Sequence, residues 1–415
     1  LLPDSVSGGL ANLGDINGDG FDDVLVASDS MRPNQSMNRG WIEAYCGKSG
    51  KQIWKLEGLG TEDAQAAGHD AAFFLAEAYV LCDIDGDGVN DVYALEAYAK
   101  KKALWISGKT GQILSTNAVA NIAWFWRPAR WEPGDKPEGH LVFVSRYSAQ
   151  EGQPVIFSYH EAANLKPIRD ETLILGNAPV TSSDFFIANA SLPDENGDGK
   201  PEWLVIRGIA GQGFDHPEYS WELRVICGKT LTTLRSFRTP RPRTGGQTAY
   251  AVIEGLPTAN QTALVISTST GEGPERRISS LRAVSLADGE VFWNRLGTEL
   301  GGGLDLFTID TAGARSETIN DVTFGSAVVA IGDVDGDDVV DLATTIHQES
   351  MAGTAIALFS GKDGSLIRVL NTVSHRLASD HRAPIVTLQR GSRKGLATVG
   401  QHAKSNQLEL LIFEW

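Results

Sequence analysis

One nine-residue pattern recurs four times in this chain and limits its fold more than any other feature. It reads DINGDGFDD from Asp15 to Asp23, DIDGDGVND from Asp83 to Asp91, DENGDGKPE from Asp194 to Glu202 and DVDGDDVVD from Asp333 to Asp341. The copies superimpose without a gap. Each follows an apolar run (LANLG, AYVLC, FFIANASLP, SAVVAIG) and is followed at once by another (VLVAS, VYALEAY, WLVIR, LATTI), so the unit is strand, acidic loop, strand.

A second punctuation mark comes after each loop: CGKSG from Cys46, SGKTG from Ser107, CGKT from Cys227 and SGKDG from Ser360, ahead of apolar stretches such as QIWKL and SLIRVL. Glycine there fits a hairpin turn that wants φ > 0. Two strands about the loop and two about the turn give a four-stranded antiparallel meander, the blade of a β-propeller. The intervals after the second and third loops are too long for one blade. Between the second and third loops GDKPEGHLVFVS (Gly134–Ser145) echoes GDGKPEWLVIR (Gly197–Arg207) but has lost the ligand set. Between the third and fourth, TALVISTS and SLADGEVFWNRL supply strands and a turn, followed by an insertion around Gly301 to Glu317. After the fourth loop, PIVTLQRGSRKGLATVG and LELLIFEW make a last blade short of one strand. An open edge invites aggregation, so Leu1 to Val6 are expected to close the ring. The expected architecture is all-β: one seven-bladed β-propeller over 1–415, with blades near 7–57, 70–117, 120–172, 183–238, 247–297, 320–371 and 381–415.

Composition agrees with that class and removes others. The 45 Gly residues and 42% hydrophobic content suit a turn-rich chain with a large core, and no long stretch at helical period is present. A formal charge of −16 disfavours nucleic acid and anionic membrane surfaces as partners. No apolar run of helical membrane-spanning length occurs, so membrane insertion is not expected. The chain starts at Leu1 without Met or a basic-then-apolar leader, so it is expected to be either a chain whose signal peptide has been removed, the favoured reading, or a fragment.

The acidic loops have the chemistry of a hard-cation site. Calcium takes six to eight oxygens, and alternate residues of a tight loop turn toward one point. Positions one, three and five are Asp15, Asn17 and Asp19; Asp83, Asp85 and Asp87; Asp194, Asn196 and Asp198; Asp333, Asp335 and Asp337. Position seven offers a backbone carbonyl from Phe21, Val89, Lys200 or Val339, and position nine a further carboxylate from Asp23, Asp91, Glu202 or Asp341. About four Ca²⁺ ions are therefore expected. The sixth position is Gly20, Gly88 and Gly199 but Asp338 in the fourth loop, where a left-handed backbone would be strained. An EF-hand is excluded, because position twelve is Val26, Ala94, Val205 or Thr344 instead of Glu and the flanks read as strands. Magnesium fits less well, since it keeps several waters and strict octahedral geometry. The plain alternative is an Asp/Gly turn without metal, and four matching loops weigh against it.

These loops in their strand context resemble the FG-GAP repeats of integrin α-subunit propellers and their bacterial relatives, and Phe324-Gly325 matches the opening pair of that motif. The resemblance implies structural calcium in the first hairpin loop of blades one, two, four and six, on one rim of the ring. The turns followed by Trp (QIWKL, LADGEVFW) also resemble blades of quinoprotein-type propellers.

The remaining reactive residues point to no catalytic centre. Cys46 and Cys227 occupy the repeat position of Ser107 and Ser360, too far apart to pair, and Cys82 stands where Gly14 and Gly332 stand, so three buried thiols are expected. The eight His form no zinc pattern, and no nucleophile elbow, P-loop or dinucleotide fingerprint is present. NIAWFWRPARW places Trp124, Trp126, Arg127, Arg130 and Trp131 together. That suits carbohydrate or carboxylate binding, although blade packing explains tryptophans at strand spacing more simply. Longer connections at Asp29–Gly40, Arg207–Ser220, Thr268–Arg277 and His347–Gly353 lie on the rim opposite the calcium loops, where a rigid scaffold usually carries binding function. Asn34, Asn189 and Asn260 sit in N-x-[ST] sequons. The expected function is a secreted, cell-surface or periplasmic module that binds a protein or glycan on that rim, or assembles with itself. The competing expectation is a propeller enzyme, a polysaccharide lyase or a quinoprotein-like oxidoreductase.

Overall fold

A computed structural model describes residues 9–28, 40–58, 73–97, 102–118, 128–132, 139–146, 155–173, 185–209, 220–240, 248–258, 261–268, 279–300, 304–310, 313–319, 323–347, 354–370, 375–377, 385–391, 393–402 and 408–415. Over these the chain is all-β, with seven four-stranded antiparallel sheets, the blade set of a seven-bladed β-propeller. Among the described residues helix is confined to one four-residue turn, Gly297–Leu300.

Blade one consists of Leu10–Gly14, Asp23–Ser28, Trp41–Tyr45 and Gln52–Glu57, and blade two of Phe73–Val80, Val92–Ala97, Lys102–Ile106 and Ile113–Ala118. Blade four runs from Phe185–Leu192 through Glu202–Ile209 and Ser220–Ile226 to Thr233–Pro240. Blade five comprises Thr248–Glu254, Thr262–Thr268, Ser280–Ser285 and Val291–Leu296, and blade six Thr323–Gly332, Asp341–His347, Thr354–Phe359 and Leu366–Leu370. All five pair in chain order, as a meander does. Blade three spans Pro128 to Leu173, and in the last blade Val386–Arg390, Arg393–His402 and Leu408–Glu414 pair in succession.

Burial follows position in the blade. The third strands Trp41–Tyr45 and Ser280–Ser285 are buried at every residue, because neighbouring sheets cover both faces. The fourth strands Gln52–Glu57 and Val291–Leu296 each bury one residue, Trp54 and Trp293, and are otherwise exposed or half-buried, as outer strands are. The expected insertion after blade five is ordered differently from a loop: Leu304–Asp310 and Gly313–Ile319 form a two-stranded hairpin, with Asp310 opposite Gly313. Its short apolar/polar runs carry a strand signal that a reading in terms of blades passes over.

The chain forms two compact units: Leu1–Val142 with Tyr159–Ile168 and Pro384–Trp415, and Phe143–Ser158 with Arg169–Ala383. In the first, Leu25, Ile42 and Trp54 of blade one share a core with Val92, Leu104 and Ile106 of blade two. A second core joins Val24, Val26 and Tyr45 to Leu388, Ala397 and Val399, so the first and last blades pack directly. Asn12 Nδ2 donates to the Thr387 carbonyl at 3.0 Å, and the Gln389 N–H to Asp22 at 2.6 Å, across the same junction. The ring-closing residues proposed from the sequence, Leu1 to Val6, lie outside the described residues. In the second unit, Leu204, Ile206 and Leu223 pack on Leu264, Ile266 and Val284, and Leu281 and Ala283 pack on Leu342, Ala355 and Phe359.

Successive blades are also locked by an aromatic ring over a turn glycine. Trp54 on the fourth strand of blade one donates its indole N–H to the Gly108 carbonyl of blade two at 2.8 Å, and its ring lies where a Cβ on Gly111 would fall. Trp293 of blade five repeats both contacts on Gly361 and Gly364 of blade six. Phe237 of blade four covers Gly289 of blade five. A buried aromatic of this size contributes about 2–3 kcal/mol through removed apolar surface alone.

Candidate metal centres

Each acidic loop is folded by its own side chains before any ion is considered. The position-one carboxylate accepts backbone N–H groups from across the loop: Asp15 from Gly18, Asp19 and Gly20; Asp83 from Gly86, Asp87 and Gly88; Asp194 from Asp198 and Gly199; Asp333 from Gly336, Asp337 and Asp338. Position three caps position five, with Asn17, Asp85, Asn196 and Asp335 accepting from Asp19, Asp87, Asp198 and Asp337. Position five in turn accepts the N–H of Phe21, Val89, Lys200 or Val339. These side-chain-to-backbone turns are what Asp and Asn form readily, and they need a left-handed residue at position six. Gly20, Gly88 and Gly199 supply it at φ near 85°, and Asp338 adopts it at 65°, the strained conformation expected for that loop.

Position nine has a different environment. Asp23, Asp91, Glu202 and Asp341 are fully buried, and each accepts the N–H of a glycine in the second turn of its blade: Gly47, Gly108, Gly228 and Gly361, at 2.8–3.0 Å. Asp23, Asp91 and Asp341 also accept from position two. Burial pushes the pKa of these three aspartates above the usual carboxylate value, against the N–H groups that lower it; the nearby Asp19 and Asp15 add to the rise at Asp23, as Asp85 does at Asp91 and Asp335 at Asp341. At Asp15 slight desolvation is outweighed by the backbone N–H groups of Gly20, Asp19, Gly18 and Asn17, which hold it below the ordinary value.

The structure brings one carboxylate oxygen each from Asp83, Asp85 and Asp91 within 4.8 Å of one another, and does the same for Asp333, Asp335 and Asp341. These are positions one, three and nine, converging as a single ion requires. Asp87 and Asp337 are not members of those groups. In the other two loops Asn17 or Asn196 stands at position three, so the three-carboxylate set is absent by composition, and Asn17 Nδ2 donates instead to Asp23 at 3.3 Å. The donor set is hard oxygen throughout, which fits calcium.

Two components were missed in reading the sequence. The first is the reason for glycine at the head of the second turn. A Cβ there would sit 1.9 Å from the Asp22 carbonyl oxygen at Gly47, 2.1 Å from that of Asn90 at Gly108, and 1.9 Å from that of Val340 at Gly361. Position eight of the acidic loop therefore occupies the space of the side chain. Where no acidic loop exists, the equivalent residues are Ala162 and Leu286, and their N–H groups go to the Gly139 and Thr262 carbonyls. The second is the lysine that follows. Lys362 lies 3.7 Å from Asp337 and Lys229 reaches the Asp198 carbonyl at 3.4 Å, whereas Ala163 and Ala287 stand there in blades three and five, which have no acidic loop. Gly-Lys beside every acidic loop and its absence elsewhere was the legible signal.

All three cysteines are free and buried, as expected. Cys46 and Cys227 donate their thiols to the position-five carboxylates of Asp19 and Asp198 at 3.2 and 3.0 Å. At Asp198 that thiol is the largest cause of a lowered pKa. Trp124, Trp126, Arg127, Asn34 and Asn260 lie outside the described residues, as do nearly all of the longer connections at 29–40, 207–220, 268–277 and 347–353.

No protein-family model matches the chain, and no curated protein matches it. Among solved structures it is similar to BamB from Moraxella catarrhalis, at 10% identity and a TM-score of 0.39 over 99% of this chain and 86% of that one. It is also similar to Kuenenia stuttgartiensis hydrazine synthase, at 9% identity and a TM-score of 0.45 over 99% of this chain and 98% of that one.

Proposed function

We propose that the four acidic loops each hold a calcium ion, and that the protein is a calcium-stapled secreted or cell-surface propeller that binds a protein or glycan at the sheet ends away from those loops. One observation carries the calcium reading. Asp83, Asp85 and Asp91 each bring a carboxylate oxygen to within 4.8 Å of the others, and Asp333, Asp335 and Asp341 repeat the arrangement. Three carboxylates within 4.8 Å repel one another, and a divalent cation at their centre reverses the sign of that interaction. Asp83, Asp85, Asp87 and Asp91 would hold the ion in blade two, Asp333, Asp335, Asp337 and Asp341 in blade six, and the corresponding Asp, Asn and Glu residues in blades one and four. The ion's role there is structural: it neutralises the loop and fixes its closure.

The binding role rests on which end of each sheet the acidic loops leave free. One end of the sheets is occupied by acidic loops and short Gly-Lys turns, leaving the longer connections at the other end to meet a partner. No helix among the described residues is long and apolar enough to cross a membrane.

Calcium that prefers the folded loop must raise apparent stability, by about 2.7 kcal/mol per site at a hundredfold excess over Kd. Melting in calcium and in chelator, with metal analysis of the purified protein, tests the ion. Equal melting temperatures and no bound calcium would refute it. Glycan-array screening and pull-down with calcium-loaded protein test the binding role, and failure of both with an intact calcium response would leave only the scaffold.

A further inference from the structure

The second unit contains a buried positive charge that no acidic side chain neutralises among the described residues. Arg282 lies in the middle of Ser280–Ser285, a strand buried at every residue, and is itself 8% exposed. Its Nε is shielded from solvent and has no hydrogen-bond partner among the described residues. Burial is the sole cause acting on its pKa, which is pushed down to about 10, whereas a neighbouring carboxylate would have acted in the opposite sense. A buried cation without a counter-charge costs several kcal/mol, and an isosteric apolar residue would relieve it. That cost is hard to explain in a chain that carries 52 acidic residues and could have paired it.

The direction of the side chain follows from strand alternation. Leu281 and Ala283 pack toward blade six and Val284 toward blade four, so Arg282 faces blade four. Across blade five it aligns with Ile266 on one side and Asn294 on the other, and Asn294 is exposed, so the row runs from the core to solvent. Blade four presents Phe237 to the same seam and, two residues on along that face, Thr239. Thr239 is fully buried, and its hydroxyl also lacks a partner. One seam thus holds, among the described residues, a guanidinium Nε and a hydroxyl with nothing to bond, beside the packed apolar side chains of Ile266, Val284 and Phe237.

We infer that the seam between blades four and five binds a small monocarboxylate with an apolar body, its carboxylate paired to Arg282 and bonded to Thr239. The two coplanar donors of a guanidinium edge match the two oxygens of a carboxylate. The apolar walls suit a hydrocarbon body, and the overall charge of −16 weighs against a multiply charged anion such as phosphate. The site is separate from the acidic loops and does not depend on the calcium reading.

The experiment measures melting temperature and isothermal titration heats for acetate, hexanoate, benzoate and inorganic phosphate at one fixed calcium concentration. The proteins are the intact chain, Arg282→Met and Thr239→Val. The intact chain should melt higher with rising carboxylate, more for hexanoate and benzoate than for acetate. Arg282→Met should melt at least as high as the intact chain without ligand and lose about tenfold or more in affinity. Thr239→Val should retain weaker binding. The proposal is overturned if no carboxylate shifts the intact chain, if phosphate alone does, or if the shift persists in Arg282→Met. A lower melting temperature in Arg282→Met with no carboxylate effect would assign the counter-charge to the chain itself and equally overturn it.

Discussion

Replacing Gly108 by alanine tests how closely the acidic loop approaches the second turn. The new Cβ would lie 2.1 Å from the Asn90 carbonyl oxygen and 3.2 Å from both the Asn90 carbonyl carbon and a Val89 methyl. Carbon and oxygen without a bond between them approach to about 3.3 Å, so turn and loop must part by about 1.2 Å. Two bonds lie in the path of that movement: Gly108 N–H to Asp91 at 3.0 Å and Trp54 Nε1 to the Gly108 carbonyl at 2.8 Å. Both would stretch past about 3.5 Å and cease to count. Loss of the first, made to a charged group, costs about 1.5–3 kcal/mol, and of the second about 0.5–1.5 kcal/mol, so about 2–4.5 kcal/mol is expected in all. Urea denaturation at fixed temperature measures it, in calcium and in chelator. The deficit should be larger in calcium, because Asp91 is drawn from its place in the loop. The control is Ala162→Gly in blade three, where no acidic loop crowds the turn and the change should stay below about 1 kcal/mol. Unaltered midpoints for Gly108→Ala in both buffers would show that loop and turn do not touch as described.

Asp338→Gly should stabilise the chain by about 0.5–1 kcal/mol, because it relieves the left-handed backbone at φ 65° and keeps the N–H bond to Asp333; a lower denaturation midpoint would contradict this. Trp293→Phe should cost about 1–3 kcal/mol by leaving the Gly361 carbonyl without its indole donor, read as a shift in denaturant midpoint at unchanged slope. The pH dependence has a definite sign. Burial holds the folded-state pKa values of Asp23, Asp91 and Asp341 above the ordinary carboxylate value, so without calcium the folded state holds more protons just above that value, and these groups favour folding less as pH rises through the window. Calcium needs them ionised, so the gap between melting temperatures with calcium and with chelator should narrow as pH falls from neutrality toward the carboxylate range. A gap independent of pH would show that the buried aspartates are not ligands.

Much of this molecule could be read from residues alone because its repeats encode local geometry. The strand, acidic loop and strand units, the glycine turns and the left-handed Asp338 all follow from side chains acting within ten residues of themselves. The hairpin after blade five was not legible, since two short alternating runs carry no repeat signature. Nor was the close approach of Gly47, Gly108 and Gly361 to their loops, which joins segments about twenty residues apart in chain and visible only once folded. Arg282 was invisible for another reason: nothing in SLRAVS distinguishes a buried arginine from one whose head reaches water. In the candidate centres the ligand types were legible, but which of them meet was not, and Asp87 and Asp337 stand apart from the convergent groups.

Gly108 and Gly361 each face two ways, with the amide on the buried acid of their own blade and the carbonyl on the indole of the blade before. An ion seated in one sheet would consequently tighten the joint with its neighbour. Its withdrawal should slacken the mortar before the bricks, so that amides along the inner strands keep their protection while the interface tryptophans become accessible to quencher. Tolerance of the chain to calcium scarcity would then be decided at two small turns.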